Sequence, residues 1–450
     1  MVNHPDLGPG LRPTACQDCL LADNAVMVEL SDKPDATDPP AADRRCPRDA
    51  IQDKTLAGKP PVAPVEPTVA VAHHWFMSMR GGEKTASVLA DMFPDAPIYT
   101  LLARPAELDD TLRARRLYTS WLQRFGWIPD LQRKALPLLA CAARSLDATR
   151  YHVVICSDAA IIKAIRTAPD TLKLCYCHSP MRYVWDLYDA YYRGAGWSGK
   201  LGLRLFADRL RRADRRAASS VTAFVANSRD VADRIRRNYD RPAVVIPPPV
   251  DTDLPKNDLP TEDYYLVVSE LVSYKRNDLA IDACTRLRKP LIVIGTGPLL
   301  ADLRRRAGPT VRILGWQSDA IVRDHLMRCR VLLFCGREDF GLVPVEAQAA
   351  GRPVIAYRAG GATETVRDGE TGVFFDAQTV DSVVDSIRRF ESSRSLWPPA
   401  RIQSHARQFG IETFRRRFRR FYDWCLDHDH TGGPQRVREA MTTIDRDAFL

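Results

Sequence analysis

Short apolar runs alternate with helix-like segments along most of this chain, and they do so in two successive sets. The first set lies between residues 68 and 247 and the second between residues 264 and 357, with Pro247-Pro248-Pro249 at the end of the first. Alternation of this kind is typical of a parallel sheet with helices on both faces. The sequence therefore predicts an α/β protein with two similar domains, joined by a linker that its prolines stiffen.

We assign residues 67–250 to the first domain and residues 251–408 to the second. The strands predicted in the first domain are Thr68–Trp75, Pro97–Leu101, Tyr151–Ser157, Leu172–Cys177, Thr222–Asn227 and Ala243–Pro247. Those predicted in the second domain are Tyr264–Ser269, Pro290–Gly295, Val311–Leu314, Val331–Cys335 and Pro353–Tyr357.

The two ends of the chain carry weaker patterns. Residues 1–66 are rich in Pro, Asp and Ala without periodicity, which predicts a disordered extension. A metal site there is an alternative, although the spacing matches no common zinc module. Its candidate ligands are His4, Cys16, Cys19 and Cys46. The apolar pattern of residues 409–430 predicts an amphipathic helix, and residues 431–450 are predicted to form a loose tail.

Charge and composition limit the classes of partner. A formal net charge of +9 fits an anionic membrane surface, a pyrophosphate-bearing substrate or nucleic acid. Nucleic acid is not expected, because the sequence has no zinc-finger spacing and no recognisable helix-turn-helix. The chain has no run of eighteen apolar residues, and its eleven cysteines are typical of a reducing compartment. We therefore expect a cytoplasmic protein.

Two glutamates follow the predicted strand Val331–Cys335. Glu338 lies at the carboxyl end of that strand, where open α/β sheets bind ligands, and Glu346 lies about one turn into the next predicted helix. Carboxylates accept hydrogen bonds from sugar hydroxyls, while a helix N-terminus attracts phosphate. The pair predicts a site for a phosphorylated polyol; two solvated glutamates at a helix start are the alternative.

The surrounding residues resemble the donor site of the family 4 glycosyltransferases, with its Glu-x7-Glu element. The resemblance covers residues 68–425 and is strongest from 264 to 375. It is carried by Glu338, Phe340-Gly341-Leu342, Pro344, Glu346-Ala347, Ala350-Gly351-Arg352-Pro353-Val354-Ile355 and Gly360-Gly361-x-x-Glu364. It implies the GT-B architecture, two Rossmann-like domains facing across a cleft, with the last helix crossing back to the first domain.

The resemblance also implies roles for residues of the second domain. Glu338 would bond donor-sugar hydroxyls, assisted by the amides of Phe340, Gly341 and Leu342, and Glu346 would bond the ribose diol. Lys275 would contact the diphosphate. The family usually has arginine five residues before that lysine, but Glu270 stands here, so Arg276 or another base would substitute. The nucleotide base would lie near Gly295, Gly297 and Leu314.

In the first domain, Gly81 and Gly82 would face the donor diphosphate, with an ordinary tight turn as the alternative. His178, at the carboxyl end of a predicted strand, is similar to a histidine of the family at the same place and is a catalytic candidate. A satisfied core histidine is its alternative. Arg182 is a candidate contact for an anionic acceptor.

The sequence allows two interpretations for each of two further segments. Lys200–Ala218 predicts a basic amphipathic helix, which either lies on an anionic membrane or presents a solvated face. The apolar segment Leu117–Leu139 either shapes the acceptor cleft and touches lipid or packs on the sheet.

The function that the resemblance implies is retaining, metal-independent transfer of a hexose, with mannose as a candidate. The donor would be a GDP- or UDP-sugar and the acceptor a lipid-linked glycan or polysaccharide. The enzyme would need no cofactor and would work at the inner face of the cytoplasmic membrane. A catalytically silent GT-B protein that binds nucleotide or glycan is the main alternative, and an epimerase or phosphorylase of the same fold is another.

Overall fold

The computed structural model describes residues 26–27 and 67–450, apart from short gaps at 129–130, 132–134, 187, 195, 255–258 and 394–396. The predicted disordered extension and its candidate metal ligands lie outside the described residues, except for Val26–Met27.

Within the described residues, the first domain is built on an eight-stranded sheet. Its strands are β1 (Val26–Met27), β2 (Val69–His73), β3 (Ile98–Thr100), β4 (Leu117–Thr119), β5 (Val153–Asp158), β6 (Leu172–Cys177), β7 (Ala223–Ala226) and β8 (Val244–Val245). They lie in the order β1-β4-β3-β2-β5-β6-β7-β8, and only β1 runs antiparallel to its neighbour. The central strands β5 and β6 are buried along their whole length, as expected when helices cover both faces of a parallel sheet.

The second domain repeats this plan with six parallel strands within the described ranges. They are β9 (Tyr265–Val268), β10 (Leu291–Ile294), β11 (Val311–Gly315), β12 (Val331–Phe334), β13 (Val354–Tyr357) and β14 (Gly372–Phe375). The order is β11-β10-β9-β12-β13-β14, so the strand order reverses between β9 and β12. Ligands of open α/β sheets bind at such switch points.

Helices cover the faces of both sheets. In the first domain they are α1 (Gly81–Asp91), α2 (Asp110–Arg113), α3 (Leu139–Arg144), α4 (Tyr188–Gly194), α5 (Trp197–Ser219) and α6 (Arg229–Tyr239). In the second domain they are α7 (Asn277–Leu287), α8 (Leu300–Arg306), α9 (Asp319–Arg328), α10 (Leu342–Ala349), α11 (Ala362–Thr365), α12 (Val380–Ser392) and α13 (Pro399–Ala406). Several begin at a serine or threonine cap; Ser228 accepts from the Val231 amide at the start of α6.

The last helix, α14 (Ile411–Ala440), returns to the first domain. Phe414, Phe418 and Phe421 are buried there in the core that also contains residues of β2, β5 and β6. The stripe of aromatic residues at helical spacing explains why this helix leaves the second domain, since it buries several large rings at once.

The prediction that residues 431–450 form a loose tail is wrong. Gly432 and Gly433 leave helical geometry and kink α14, and the chain beyond them packs on the first domain. Val437, Met441 and Phe449 are buried, and the Val245 amide donates to the Arg446 carbonyl at 2.7 Å. The sequence pattern did not predict this packing, because the buried residues of the segment are few and are separated by polar residues.

Helix α5 has two different halves. Leu210 is buried, whereas Trp197, Leu201 and Leu205 are exposed at successive i, i+4 positions. The segment 117–139 is also divided: Leu122, Leu131 and Leu139 join the core, while Phe125, Trp127 and Leu138 are exposed. No helix among the described residues has both the length and the apolar character that crossing a membrane requires.

Candidate active site

The site is built around an ion pair between two predicted residues, Lys275 and Glu338. Lys275 ends a 3₁₀ turn, Ser273–Lys275, that follows β9, and Glu338 lies in the loop after the adjacent strand β12. Their side chains are mostly buried, and Nζ lies 3.0 Å from Oε1. Burial acts against the charged ammonium, but the Glu338 carboxylate raises the pKa of Lys275 above its usual value. A fixed cation therefore lies beside a carboxylate that also faces solvent.

Two helix N-termini from opposite domains meet next to this pair. Gly81 is the first residue of α1 and Leu342 the first residue of α10, and a Cβ atom on Gly81 would overlap the Leu342 side chain. A helix N-terminus carries unpaired amides and about half a positive charge. The convergence of two of them creates a position that favours a diphosphate.

The turn before α10 depends on glycine. Gly341 has a φ of 84°, a left-handed conformation that side chains other than glycine rarely adopt, and it precedes the first residue of the helix. Phe340 is buried and its ring contacts Phe409 at 5.6 Å between centroids. The Phe340 ring therefore anchors the turn in the core, and only its backbone is available to a ligand.

Glu346 lies in the second turn of α10, partly exposed at the domain interface. Burial raises the pKa of Glu346, while the nearby Lys84 opposes that shift. Lys84, on α1, donates to Asp319 of the second domain at 2.9 Å. The structure thus brings Glu346, Lys84 and Asp319 together across the domain boundary.

The glycines predicted at the base pocket have a packing role in this structure. Gly295 and Gly297 both approach the backbone after β9 so closely that a side chain on either would overlap it, at Ser269 and at Leu271. The Gly295 amide donates to the Gly315 carbonyl at 2.8 Å. Leu314 is partly buried against the core cluster that includes Ile292 and Ile294. Their contact with a nucleotide base stays a prediction.

Glu270, the residue that departs from the family pattern, has a cationic partner in the other domain. Arg80 immediately precedes α1, and its Nη1 donates to Glu270 Oε2 at 3.3 Å. Arg276, the predicted substitute, instead pairs with Asp278 at 3.1 Å. Arg80 directly precedes the glycine pair in the chain, and the sequence pattern gave no signal of its pairing with Glu270 because the residues are 190 positions apart.

Asp339 was missed by the sequence analysis, although it directly follows Glu338. Its carboxylate binds both Arg182 and Arg234 of the first domain. Arg234 is buried and also donates to Ser179 Oγ at 3.3 Å. Arg182, predicted to contact an acceptor, is thus held across the cleft by Asp339, the residue that follows Glu338.

A cavity of about 670 Å³ opens between the domains beside Glu338 and Asp339. Among the described residues, six arginines and four acidic residues line it. The arginines are Arg182, Arg193, Arg234, Arg237, Arg276 and Arg337. The acidic residues are Asp186, Asp230, Glu338 and Asp339. The wall therefore has an excess of two positive charges.

His178 lies directly after β6, partly exposed toward the cleft, and a Cβ atom on Gly82 would lie 3.9 Å from its Nε2. Loss of hydration on burial lowers the pKa of His178 to about 3, so the ring is neutral. The structure therefore brings Gly81, Gly82, His178, Lys275, Glu338, Leu342 and Glu346 to one interface.

Comparison with known protein families gives two adjacent matches. Residues 79–254 match the model described as Glycosyltransferase Family 4, and residues 250–409 match the model described as Glycosyl transferases group 1. The boundary between them coincides with the predicted linker. The two matches confirm the resemblance that the donor-site motif indicated.

The chain is also similar to curated proteins. It is 32% identical over 172 residues to a GDP-mannose-dependent alpha-(1-6)-phosphatidylinositol monomannoside mannosyltransferase of Mycolicibacterium smegmatis, covering 32% of this chain and 45% of that protein. It is 32% identical over 200 residues to a D-inositol 3-phosphate glycosyltransferase of Nocardiopsis dassonvillei, covering 37% of this chain and 47% of that protein. The chain thus spans about half the length of these relatives.

Solved structures share the fold at low sequence identity. The Anabaena protein HepE in complex with UDP superposes with a TM-score of 0.57 at 17% identity, covering 79% of this chain and 99% of HepE. Sucrose-phosphate synthase from Thermosynechococcus elongatus gives a TM-score of 0.61 at 16% identity, covering 80% of this chain and 99% of that one. These similarities confirm the predicted GT-B fold.

Proposed function

Since the chain belongs to the family 4 glycosyltransferases and has their GT-B fold, we propose that it transfers a hexose from a nucleotide sugar to a phosphate-bearing, lipid-linked acceptor. The observation that carries this proposal is the meeting of two helix N-termini, at Gly81 and Leu342, beside the Lys275–Glu338 pair. The diphosphate lies against the amides and Lys275, and Glu338 accepts hydrogen bonds from the sugar hydroxyls. The positive charge of Lys275 and of the helix N-termini then stabilises the negatively charged leaving group.

Transfer proceeds without a metal ion and with retention at the anomeric carbon, as the family resemblance implies. Lys275, Arg80 and the two helix N-termini are available to offset the diphosphate charge that a metal offsets elsewhere. Mannose is the first sugar to test, because the Mycolicibacterium smegmatis relative is named as GDP-mannose-dependent.

The experiment that tests this function is transfer of labelled sugar from a panel of GDP- and UDP-hexoses to a bacterial lipid extract. We expect one donor to give a labelled lipid, with the same yield in the presence of EDTA. If nucleotide binds but no donor labels any lipid, the catalytically silent alternative replaces the proposal. A yield that falls with EDTA contradicts metal-independent transfer.

The cavity beside Glu338 supports an acceptor that carries phosphate. Of the predicted donor-site residues, Glu338 and Arg276 line it, whereas Gly81 and Gly82 do not. Its excess of two positive charges matches a phosphate group. Arg237, whose nearest acid is Asp186 at 3.8 Å, and Arg193 are exposed toward that space.

The double variant Arg193→Gln/Arg237→Gln removes this excess charge. We expect the amount of lipid extract that gives half-maximal transfer to rise roughly tenfold, because charge-assisted hydrogen bonds to phosphate are lost. The KM for the nucleotide sugar should stay the same. Arg236→Gln/Arg304→Gln, which removes two exposed charges outside the cavity, is the control. Equal effects of the two double variants would contradict an acceptor site here.

The exposed stripe on α5 supports peripheral contact with an anionic membrane. Trp197 is 81% exposed and Leu205 is 62% exposed, and basic side chains such as Arg204 and Arg209 are exposed on the same helix. An apolar stripe flanked by arginines is the pattern of helices that lie in the interface of anionic lipid. This surface would bring the cleft close to a lipid-linked acceptor.

The variant Leu201→Glu/Leu205→Glu tests that contact. Binding to phosphatidylglycerol vesicles in a sedimentation assay should weaken about tenfold or more, because two apolar side chains no longer leave water and two negative charges face the lipid. Ile321→Glu, at an exposed position on the second domain, should bind as the wild type does. Unchanged binding of the double variant would exclude α5 as the contact surface.

A further inference from the structure

Three polar side chains form a hydrogen-bonded row beneath the glycine pair of the first domain. His73, Ser157 and His178 lie at the carboxyl ends of β2, β5 and β6, which are neighbours in the sheet. Ser157 Oγ lies 3.0 Å from His73 Nδ1 and 2.8 Å from His178 Nε2. A side chain at Gly82 would touch both imidazole rings, so the row lies directly under the start of α1.

The protons in this row can be ordered in only two ways. Burial lowers the pKa of His73 well below its usual value and that of His178 to about 3, so each ring carries one N–H. Ser157 has one hydroxyl proton, so it donates to one ring and accepts from the other. Either His73 donates and His178 accepts, or the reverse.

His73 Nε2 decides between the two orders. This atom is buried and has no hydrogen-bond partner among the described residues. If Ser157 donated to His73, the remaining proton of His73 would be on Nε2, a buried N–H without an acceptor. Buried N–H groups without a partner are rare and costly. The opposite order leaves only an unused lone pair on Nε2, so His73 donates to Ser157 and Ser157 donates to His178.

We propose that His73 and Ser157 are positioning residues, which fix His178 in the form with its proton on Nδ1 and so make it a hydrogen-bond donor in the cleft. His178 Nδ1 has no hydrogen-bond partner among the described residues, and the ring is partly exposed. A neutral N–H at this place donates to an oxygen of the bound substrate next to Gly82. The role in transfer rests on the proposed function; the proton order does not.

The neighbouring His74 is not part of the row. Its Nδ1 lies 3.4 Å from the Ser157 carbonyl oxygen, which only accepts, so His74 carries its proton on Nδ1. The hydroxyl of Ser157 is therefore shared by His73 and His178 alone among the described residues.

Imidazole ¹⁵N resonances of the full chain test the proton order without substrate. His178 is assigned by the signals lost in His178→Asn. We expect the neutral Nδ1–H form of His178 in the wild type, and we expect Ser157→Ala to reduce its population. His73→Asn places an amide N–H where Nδ1 was and should preserve the form, whereas His73→Leu should not. The proposal is overturned if His178 of the wild type is protonated on Nε2. It is also overturned if Ser157→Ala leaves the population of the Nδ1–H form unchanged.

Kinetics test the consequence for transfer. We expect Ser157→Ala and His73→Leu to lower kcat roughly ten- to a hundredfold with little change in the KM of the nucleotide sugar, because orientation in the reacting complex is lost. His73→Asn should recover most of the loss, and His152→Asn, an exposed site in the same domain, should have no effect. Equal losses in His73→Asn and His73→Leu would show that only packing matters. Absence of transfer by the wild type would overturn the proposed function, and the spectrum alone would then decide the proton order.

Discussion

Replacing Glu338 with glutamine is expected to lower kcat for sugar transfer roughly a hundred- to a thousandfold. Glu338 is the carboxylate that pairs with Lys275 and lines the cavity, and in the proposed function it accepts hydrogen bonds from sugar hydroxyls as charge develops. Losing one preorganised electrostatic contact to a transition state costs about this much. Glutamine keeps the shape and one acceptor oxygen but removes the negative charge.

The effect of Glu338→Gln should be large on the rate of transfer and small on folding. Since the variant keeps the side-chain volume, we expect its free energy of unfolding to change by about 1–2 kcal/mol, the cost of weakening one partly buried contact. Labelled-sugar transfer and chemical unfolding measure the two quantities. Glu412→Gln, an exposed carboxylate on α14, is the control and should leave both unchanged. Full activity of Glu338→Gln would remove Glu338 from the assigned role.

Replacing Lys163 with methionine is expected to destabilise the first domain by about 3–5 kcal/mol. The Lys163 ammonium lies 2.7 Å from Asp158 and 2.7 Å from Asp214, and all three side chains are fully buried. Burial acts against the ammonium, but the two carboxylates raise the pKa of Lys163 above its usual value. Methionine fills the space of the apolar stem and leaves two buried carboxylates without their cation, which is the costly way to break a buried ion pair.

The loss of unfolding free energy in Lys163→Met should be larger at neutral pH than in acid. In the wild type burial opposes ionisation of Asp158, but Lys163 lowers the pKa of Asp158, so its contribution is present at neutral pH and is lost in acid. The variant lacks this contribution at every pH, because no ammonium is present to stabilise the Asp158 carboxylate. Unfolding curves should therefore differ most at neutral pH and least in acid.

Arg166→Gln supplies the matched comparison for Lys163→Met. Arg166 pairs with Asp147 in the same region, but both side chains are about half exposed. We expect a change within about 0.5 kcal/mol, because solvent screens exposed ion pairs. If Lys163→Met and Arg166→Gln were equally stable, the buried ion pairs of Lys163 with Asp158 and Asp214 would not contribute to folding as we infer.

The predicted strands of both sheets were recovered because strong local patterns mark them. Leu172–Cys177 has the bounds that the sequence predicted. The strand Leu117–Thr119 was missed, since three residues are too few to establish an alternating pattern. The packing of residues 431–450 was missed for a different reason: it depends on a glycine kink and on a surface supplied by distant residues.

The site divides in the same way. The Glu-x7-Glu element and the lysine after the first strand of the second domain are local motifs, and the structure brings Lys275 to Glu338. Arg80 with Glu270, Arg182 with Asp339, and the row through Ser157 depend on which loops face one another after folding. Neither the alternation of strands and helices nor the spacing of residues shows which loops face one another, so these pairs could be identified only from the three-dimensional structure.

A crystal structure of the chain with its nucleotide sugar, chosen by thermal shift from GDP- and UDP-hexoses, tests the central claim most directly. We predict the diphosphate between the amides at Gly81 and Leu342 with Lys275 beside it, and the sugar hydroxyls on Glu338. Nucleotide bound on an outer face, or a sugar ring pointing away from Glu338, would contradict the proposal that this interface is the donor site.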